Sequence, residues 1–279
     1  MKDLITEFSK TRPQSDIIVG YGSKVKCQAN DKGTQKQIDL ILGVKDAHEW
    51  HEQNHEMNPS DYKSELGYRL LPVYSKLGTT INYMSYLPFE NHMFKIGVVE
   101  TTDLLTDLTD WNNFFLAGRF QKPIEVIKGT DALDLAIKFN RMNALKIALL
   151  ASGKEAITEK ELYETLCSLS FIGDWRRLLH IENKNKVKNI VEGSFEELQS
   201  MYNVFNKGYY VKNDDNQLVI NYELLLENLG TLPTNLRLQI LKCLLNEINN
   251  KSADSEILLK IKKNIINHFT HMNLSASAA

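Results

Sequence analysis

The chain has 279 residues, 43% of them hydrophobic and 24% charged, with a formal charge of -2 and a pI of about 6.4. That length accommodates two modest domains, or one with a helical extension, in an ordinary globular composition. The charge balance excludes a global basic field that would draw the chain to nucleic acid, and no apolar run reaches the roughly 20 residues needed to cross a bilayer.

The first residues carry Asp3 and Glu7 and lack a long apolar core, which argues against a secretory signal and against a mitochondrial presequence. The sequence therefore reads as a cytoplasmic chain or a trimmed mature form. Cys27, Cys167 and Cys243 are odd in number and lack metal-ligand spacing, as expected of unpaired thiols in a reducing compartment.

An apolar run over 16–23 ends in Tyr21-Gly22-Ser23, and a second over 37–46 opens on Asp39. Gly allows close backbone approach to a triphosphate, and Ser adds a hydroxyl beside free amides at a helix start. A carboxylate on the next strand suits a divalent cation that offsets phosphate charge. The bland alternatives are an ordinary turn and a helix-capping acid. Many nucleotidyltransferases carry Asp-x-Asp, whereas here the position after next is Ile41. Asp46 is the nearest candidate for a second ligand and is equally suited to an exposed turn.

Residues 47–57 read as a polar helix or turn, on which His48, His51 and His55 share one face and would admit zinc. Strands are expected over 79–87 and 93–99, the second carrying Lys95 among apolar neighbours. Helical spacing over 102–116 is expected to end at Gly118, and from Pro123 the texture is helical, most strongly over 131–150. Thr158 with Glu161 forms a capping box that opens a helix running into Leu169, and 171–177 breaks the pattern. A hairpin over 209–211 and 218–220 beside three helices suggests a winged-helix-like module, and 222–268 is again helical. Along 256–272, Leu258, Ile261, Ile265, Phe269 and Met272 share one side, suiting either an interfacial membrane helix or one packed on its own core.

These pieces resemble the Tam41 family, the CDP-diacylglycerol synthases of the mitochondrial matrix side and their bacterial relatives. The matching residues are Tyr21-Gly22-Ser23, Asp39 through Val44, Trp50-His51 with Asn54 and Asn58, and Phe94 through Val98. Ala117 through Pro123, Ser170 through Asp174 and the block from Glu182 to Val191 continue the match in order. The resemblance implies an α+β fold with a nucleotidyltransferase-type mixed sheet, a winged-helix-like domain and C-terminal helices. On this chain the expected divisions are 1–120, 121–222 and 223–279, the last possibly membrane-associating.

The activity implied is phosphatidate cytidylyltransfer: CTP and phosphatidic acid give CDP-diacylglycerol and pyrophosphate with Mg2+, on the inner or matrix face of an anionic membrane. Tyr21, Gly22, Ser23, His51, Asn54, Arg119 and Lys122 would line the nucleotide site. Asp39 and Lys95 would be catalytic, and Asp39 and Asp46 would hold the metal. Without the resemblance, Arg119 and Lys122 read as solvated cations, and Asp174 with Arg176 and Arg177 as a structural cluster. Two other readings stay open: a nucleotidyltransferase with a soluble acceptor, and a non-catalytic helical interaction module.

Overall fold

The computed structural model describes residues 1–22, 25, 37–62, 81–171, 185–234, 236–238, 240, 261–263, 265 and 267. Ser23, Cys27, Asp174, Arg176, Arg177, Cys243, Leu258, Phe269 and Met272 lie outside these residues. The chain divides into two compact units, the first formed by Met1–Thr106 with Pro123–Ala136 and the second by Asp107–Lys122 with Ile137–Ser277.

In the first unit, helix α1 (Lys2–Lys10) precedes strands β1 (Ile17–Tyr21) and β2 (Ile38–Val44), and helix α2 (Ala47–Met57) follows β2. Strands β3 (Ile81–Phe89), β4 (His92–Glu100) and β5 (Glu125–Lys128) complete a five-stranded sheet in the order β3-β4-β2-β1-β5. Only the β2–β4 pairing is parallel. The alternation of β2 explains its burial on both faces. Ile38, Leu40, Leu42 and Val44 join Phe94, Ile96 and Val98 of β4, Ile5 and Phe8 of α1, and Trp50 of α2 in one core. Phe8 stacks on Phe94 with ring centroids 3.9 Å apart. Burying each such side chain favours folding by roughly 1.5–3 kcal/mol. The opposite face of β2 carries Asp39 and Ile41.

The helical pattern after β4 gives α3 (Thr101–Asp110), which is shorter than the 102–116 expected. Its terminator is not Gly118. The chain leaves the helix at Trp111, where φ is +54°, and Phe114 is also left-handed at +56°. The Asp107 carboxylate compensates by accepting the backbone N–H groups of Asn113, Phe114, Leu116 and Ala117 at 2.7–3.0 Å. Burial raises its pKa, and those four donors pull against that rise. Gly118 instead lies inside the short helix α4 (Ala117–Phe120), where a Cβ would come 2.6 Å from the Ser170 side chain.

Helix α5 (Asp131–Ser152) begins in the first unit and belongs to the second from Ile137 on, and the second unit continues with β6 (Ala156–Ile157), α6 (Glu159–Ser168), α7 (Lys186–Gly193), α8 (Phe195–Asn203), β7 (Tyr210–Lys212), β8 (Leu218–Ile220) and α9 (Tyr222–Glu227). Its sheet runs β6-β8-β7, all antiparallel. Helix, strand, helices and then a hairpin in that order make a winged-helix arrangement. Thr158 and Glu161 form the expected reciprocal cap of α6. The fold class is α+β, as expected. Nearer the C-terminus, Ile261 and Ile265 are fully buried and Lys262 donates to the Ser152 carbonyl at the end of α5, 2.8 Å away. Two of the five apolar positions on that helical side are thus covered by protein. No helix among the described residues is long and apolar enough to cross a membrane.

Candidate active site

Sheet register assembles the first group of polar side chains. Tyr21 on β1 pairs with Asp39 on β2, and Asp39 pairs with Lys95 on β4. Directly opposed residues project from the same face, so the three form a row across the sheet. Each is half-buried. The Lys95 ammonium stands 3.9 Å from Asp39 Oδ1 and 4.6 Å from the centroid of the Tyr83 ring. Tyr83 lies on β3, and its hydroxyl accepts a 3.5 Å hydrogen bond from that of Tyr21.

Gly22 fixes the end of β1. Its φ is +81°, and a Cβ there would come 2.9 Å from Asp39 Oδ2. Only a glycine satisfies both conditions without strain, and its bare backbone leaves room beside the carboxylate. That space and the half-exposed carboxylate fit one edge of a hard divalent cation, which takes oxygen ligands and shares them with substrate phosphates. Among the described residues, no group of three His, Cys, Asp or Glu side chains gathers around it.

The other expected metal ligand lies elsewhere. About 16 Å of extended strand separates Asp39 from Val44. Asp46 follows beyond that, exposed, with its carboxylate accepting the Glu49 N–H at 2.9 Å as the cap of α2. The structure does not bring Asp46 to Asp39. Nor is Ile41 replaced by a polar group; it is fully buried.

His51 and Asn54 occupy a different environment. Trp50 of the same helix packs into the core on the sheet face opposite Asp39. His51 is 2% exposed and Asn54 is fully buried. His51 Nδ1 is 2.9 Å from the Tyr62 hydroxyl, which donates to the His51 carbonyl. Asn54 donates to Asp61 and to Tyr62, and Asn58 donates to Asn54 and to the Thr11 carbonyl. Asp61 receives a two-pronged ion pair from Arg12 at 3.0–3.1 Å. Burial, with a smaller contribution from His48, lowers the His51 pKa to about 4. This is a buried network that ties the segment before β1 to α2, and within it His51 Nε2 and Arg12 Nε have no hydrogen-bond partner among the described residues. His48, paired with Glu52, is exposed, so the three histidines do not converge on a metal.

In the second unit, Arg119 and Lys122 project from a heavily anchored segment. Asn140 accepts from Trp111 and Gln121 and donates to the Ala117 carbonyl, while Tyr202 donates to the Gln121 carbonyl at 2.6 Å. Arg119 donates to the Phe115 carbonyl and stacks on its ring at 3.8 Å. Lys122 donates to Ser170 and lies 4.4 Å from the centre of the Phe171 ring, which Lys186 also approaches at 5.4 Å. Cys167 is buried among apolar groups, which pushes its pKa up to about 11. Its thiol is inert at neutral pH.

Residues 1–274 match the model of the Tam41_Mmp37 family, described as phosphatidate cytidylyltransferase, mitochondrial. The chain belongs to this family. It is 36% identical over 191 residues to the mitochondrial phosphatidate cytidylyltransferase of Schizosaccharomyces pombe, covering 67% of this chain and 48% of that protein. The Saccharomyces cerevisiae protein of the same name is 32% identical, with 75% of this chain and 58% of the relative covered. For the Caenorhabditis elegans protein the identity is 30%, covering 88% of this chain and 72% of the relative. The chain thus spans about half the length of several of the curated relatives it matches. A solved nucleotidyltransferase-like protein from Exiguobacterium sibiricum superposes with a TM-score of 0.28 and 13% identity, covering 100% of this chain and 77% of that one; it adds nothing to the assignment.

Sequence reasoning missed Tyr83, Asp107, Asn140 and the Arg12–Asp61 pair. Asp107 stands four and seven positions before the left-handed residues Trp111 and Phe114, a local signal for a side-chain cap. Arg12 and Asp61 are 49 residues apart and leave no local signal.

Proposed function

We propose that this chain transfers a cytidylyl group from CTP to phosphatidic acid, giving CDP-diacylglycerol and pyrophosphate. The observation that carries the reading is the Tyr21–Asp39–Lys95 row with Gly22 beside the carboxylate, set on a mixed sheet in a chain of this family. A phosphate oxygen of the lipid attacks the α-phosphorus of CTP, and the bond to the pyrophosphate oxygen breaks. Little covalent work falls to the protein, so catalysis rests on positioning and on stabilising negative charge.

Tyr21, Gly22 and Ser23 would hold the triphosphate, with the Gly22 backbone allowing close approach. Asp39 would hold a divalent cation, Mg2+ in this reading. When bound, that ion offsets the phosphate charge that develops during transfer. Lys95 supplies a fixed positive charge beside it. Arg119 and Lys122, steadied by neighbouring rings and hydrogen bonds, would meet phosphate of nucleotide or lipid. His51 and Asn54 would act as struts through their buried network and not as ligands. The sheet-bearing part is the nucleotidyltransferase portion, followed by the winged-helix-like portion and the C-terminal helices. With phosphatidic acid confined to bilayers, the protein would work peripherally on a membrane surface.

The test is incubation of purified protein with phosphatidic-acid liposomes, labelled CTP and Mg2+, followed by lipid extraction. Label in CDP-diacylglycerol that is absent with ATP or with chelator supports the reading. Metal-dependent CTP binding without lipid product would redirect it to a soluble acceptor. Absence of any nucleotide binding would leave a non-catalytic module.

A further inference from the structure

We propose that the tip of the β3–β4 hairpin is a bilayer-contacting lip: Tyr86 and Met93 dock it on a lipid surface, which then meets the sheet beside the Asp39–Lys95 pair. The proposal rests on the reading of phosphatidic acid as the acceptor. Tyr86 is 70% exposed and Met93 47%, and Pro88 is exposed as well. Pro88 and Met93 are register partners. Met93 stands two residues before Lys95 on β4, about 7 Å along the strand, so this pair occupies the sheet face that carries Asp39 and Lys95. Phe94, between them, is buried in the core on the other face.

Tyr86 interrupts the strand register, since Ser85 pairs with Lys95 and Leu87 with Phe94. It is the extra residue of a bulge, and its φ of +65° lies in a region that suits Gly or Asn better than Tyr. The bulge is tied to the strand of Asp39: the Tyr86 N–H donates to Gln37 Oε1 at 3.2 Å, and Gln37 directly precedes β2. A bulge and a proline deter strand addition at a sheet edge, but they do not call for a tyrosine. An aromatic ring kept exposed on a strained backbone is accounted for by a contact outside the chain.

The same features select the occupant. The bulge and Pro88 oppose pairing with the edge of another protein chain. Three exposed side chains also fall far short of the roughly 800 Å² per partner that a stable protein interface buries. A bilayer needs no such area, because a few inserted side chains add to binding, and tyrosine suits the boundary between headgroups and acyl chains. From Tyr86 to Met93 the hairpin carries Glu90 and no Lys or Arg, so its contact is apolar and not an attraction to anionic lipid.

The experiment is flotation of the full chain with vesicles of phosphatidylcholine and phosphatidic acid, paired with CTP-dependent formation of CDP-diacylglycerol on the same vesicles. Combining Tyr86→Asn with Met93→Gln is expected to weaken vesicle binding about tenfold, through lost transfer of two apolar side chains. That defect should persist at high salt. Tyr86→Phe with Met93→Leu keeps the apolar surface and should bind within about twofold of wild type. Asn accepts the left-handed conformation more readily than Tyr, so the polar variant should unfold at the same temperature or higher. A lowered midpoint would make the residues structural and overturn the proposal. If the polar variant floats like wild type while wild type makes CDP-diacylglycerol, the lip falls and the acceptor reading stands. If wild type neither floats nor makes lipid product, both fall. A changed sedimentation coefficient with flotation intact would assign the face to a contact between copies and overturn the lip. A direct reading of contact comes from Tyr86→Trp. Brominated phosphatidylcholine should quench this variant more than it quenches the tryptophans of the wild type, and equal quenching would overturn the proposal.

Discussion

The Tyr21–Asp39–Lys95 row and the His51–Asn54–Asp61–Arg12 network belong to the same unit, and both include residues carried by the family resemblance. Their physics is opposite. In the row the charged side chains of Lys95 and Asp39 are 32% and 27% exposed and stand 3.9 Å apart. In the network the Arg12 and Asp61 side chains are 6% and 4% exposed, and their contact is 3.0 Å. A half-exposed group retains the capacity to receive a ligand. A buried, internally hydrogen-bonded one has spent that capacity on holding two segments together, and exposing it costs stability. Motif membership does not separate the two cases; burial and pairing distance do.

The largest effect that would sharpen this contrast is at the half-exposed row. Asp39→Ala should lower turnover on the order of 10³-fold, as loss of a central electrostatic group does, with the unfolding midpoint unmoved. A large drop in the midpoint would place Asp39 among the structural residues. The converse variant, Asp61→Ala, leaves Arg12 charged and buried. It should cost about 3–5 kcal/mol in urea unfolding while the folded protein retains wild-type turnover. Lost turnover with unchanged stability would break the comparison.

The network should also have its own pH dependence. Burial lowers the His51 pKa to about 4 in the folded protein, below the ordinary histidine value of about 6.5. Between these values the unfolded chain binds a proton that the folded chain refuses, so stability falls as pH drops from about 6.5 to about 4. The loss is about 3 kcal/mol on the linkage relation. Thermal unfolding across that range, compared with His51→Gln, should show the slope flatten in the variant. The exposed capping box of α6 gives the smallest effect and a scale for polar contacts open to water. Thr158→Ala should cost about 1 kcal/mol in thermal unfolding.

The strands around Gly22 and Asp39 were legible because apolar runs bounded by turn residues have few other uses in a globular chain. The capping box and the hairpin were legible for the same local reason. The edge strand β5 was not, since four half-buried or exposed residues give almost no alternation to read. The end of α3 was misplaced because the Asp107 carboxylate, not a glycine, stops the helix. His51 and Asn54 sit on a polar helix, and Asp61, which accepts from Asn54, is anchored by Arg12, 49 residues away, so nothing local distinguished a buried network from a ligand-lined pocket. Tyr83 was invisible for a related reason. Its place beside the Lys95 ammonium depends on lying diagonal to Lys95 and opposite Gly97, and both relations exist only once β3 and β4 pair.

The order in which the units draw on the chain has a practical corollary. The first unit takes its fifth strand from beyond the Asp107–Lys122 segment, and that segment belongs with residues much later in the chain. No single cut therefore releases either unit whole. On the ribosome, β5 emerges only after the Asp107-capped loop, whose anchor Tyr202 has yet to be made. Fragments designed by trimming from one end will lack a strand or carry an orphaned loop, and dissection of this protein calls for circular permutation or co-expression of pieces in its place.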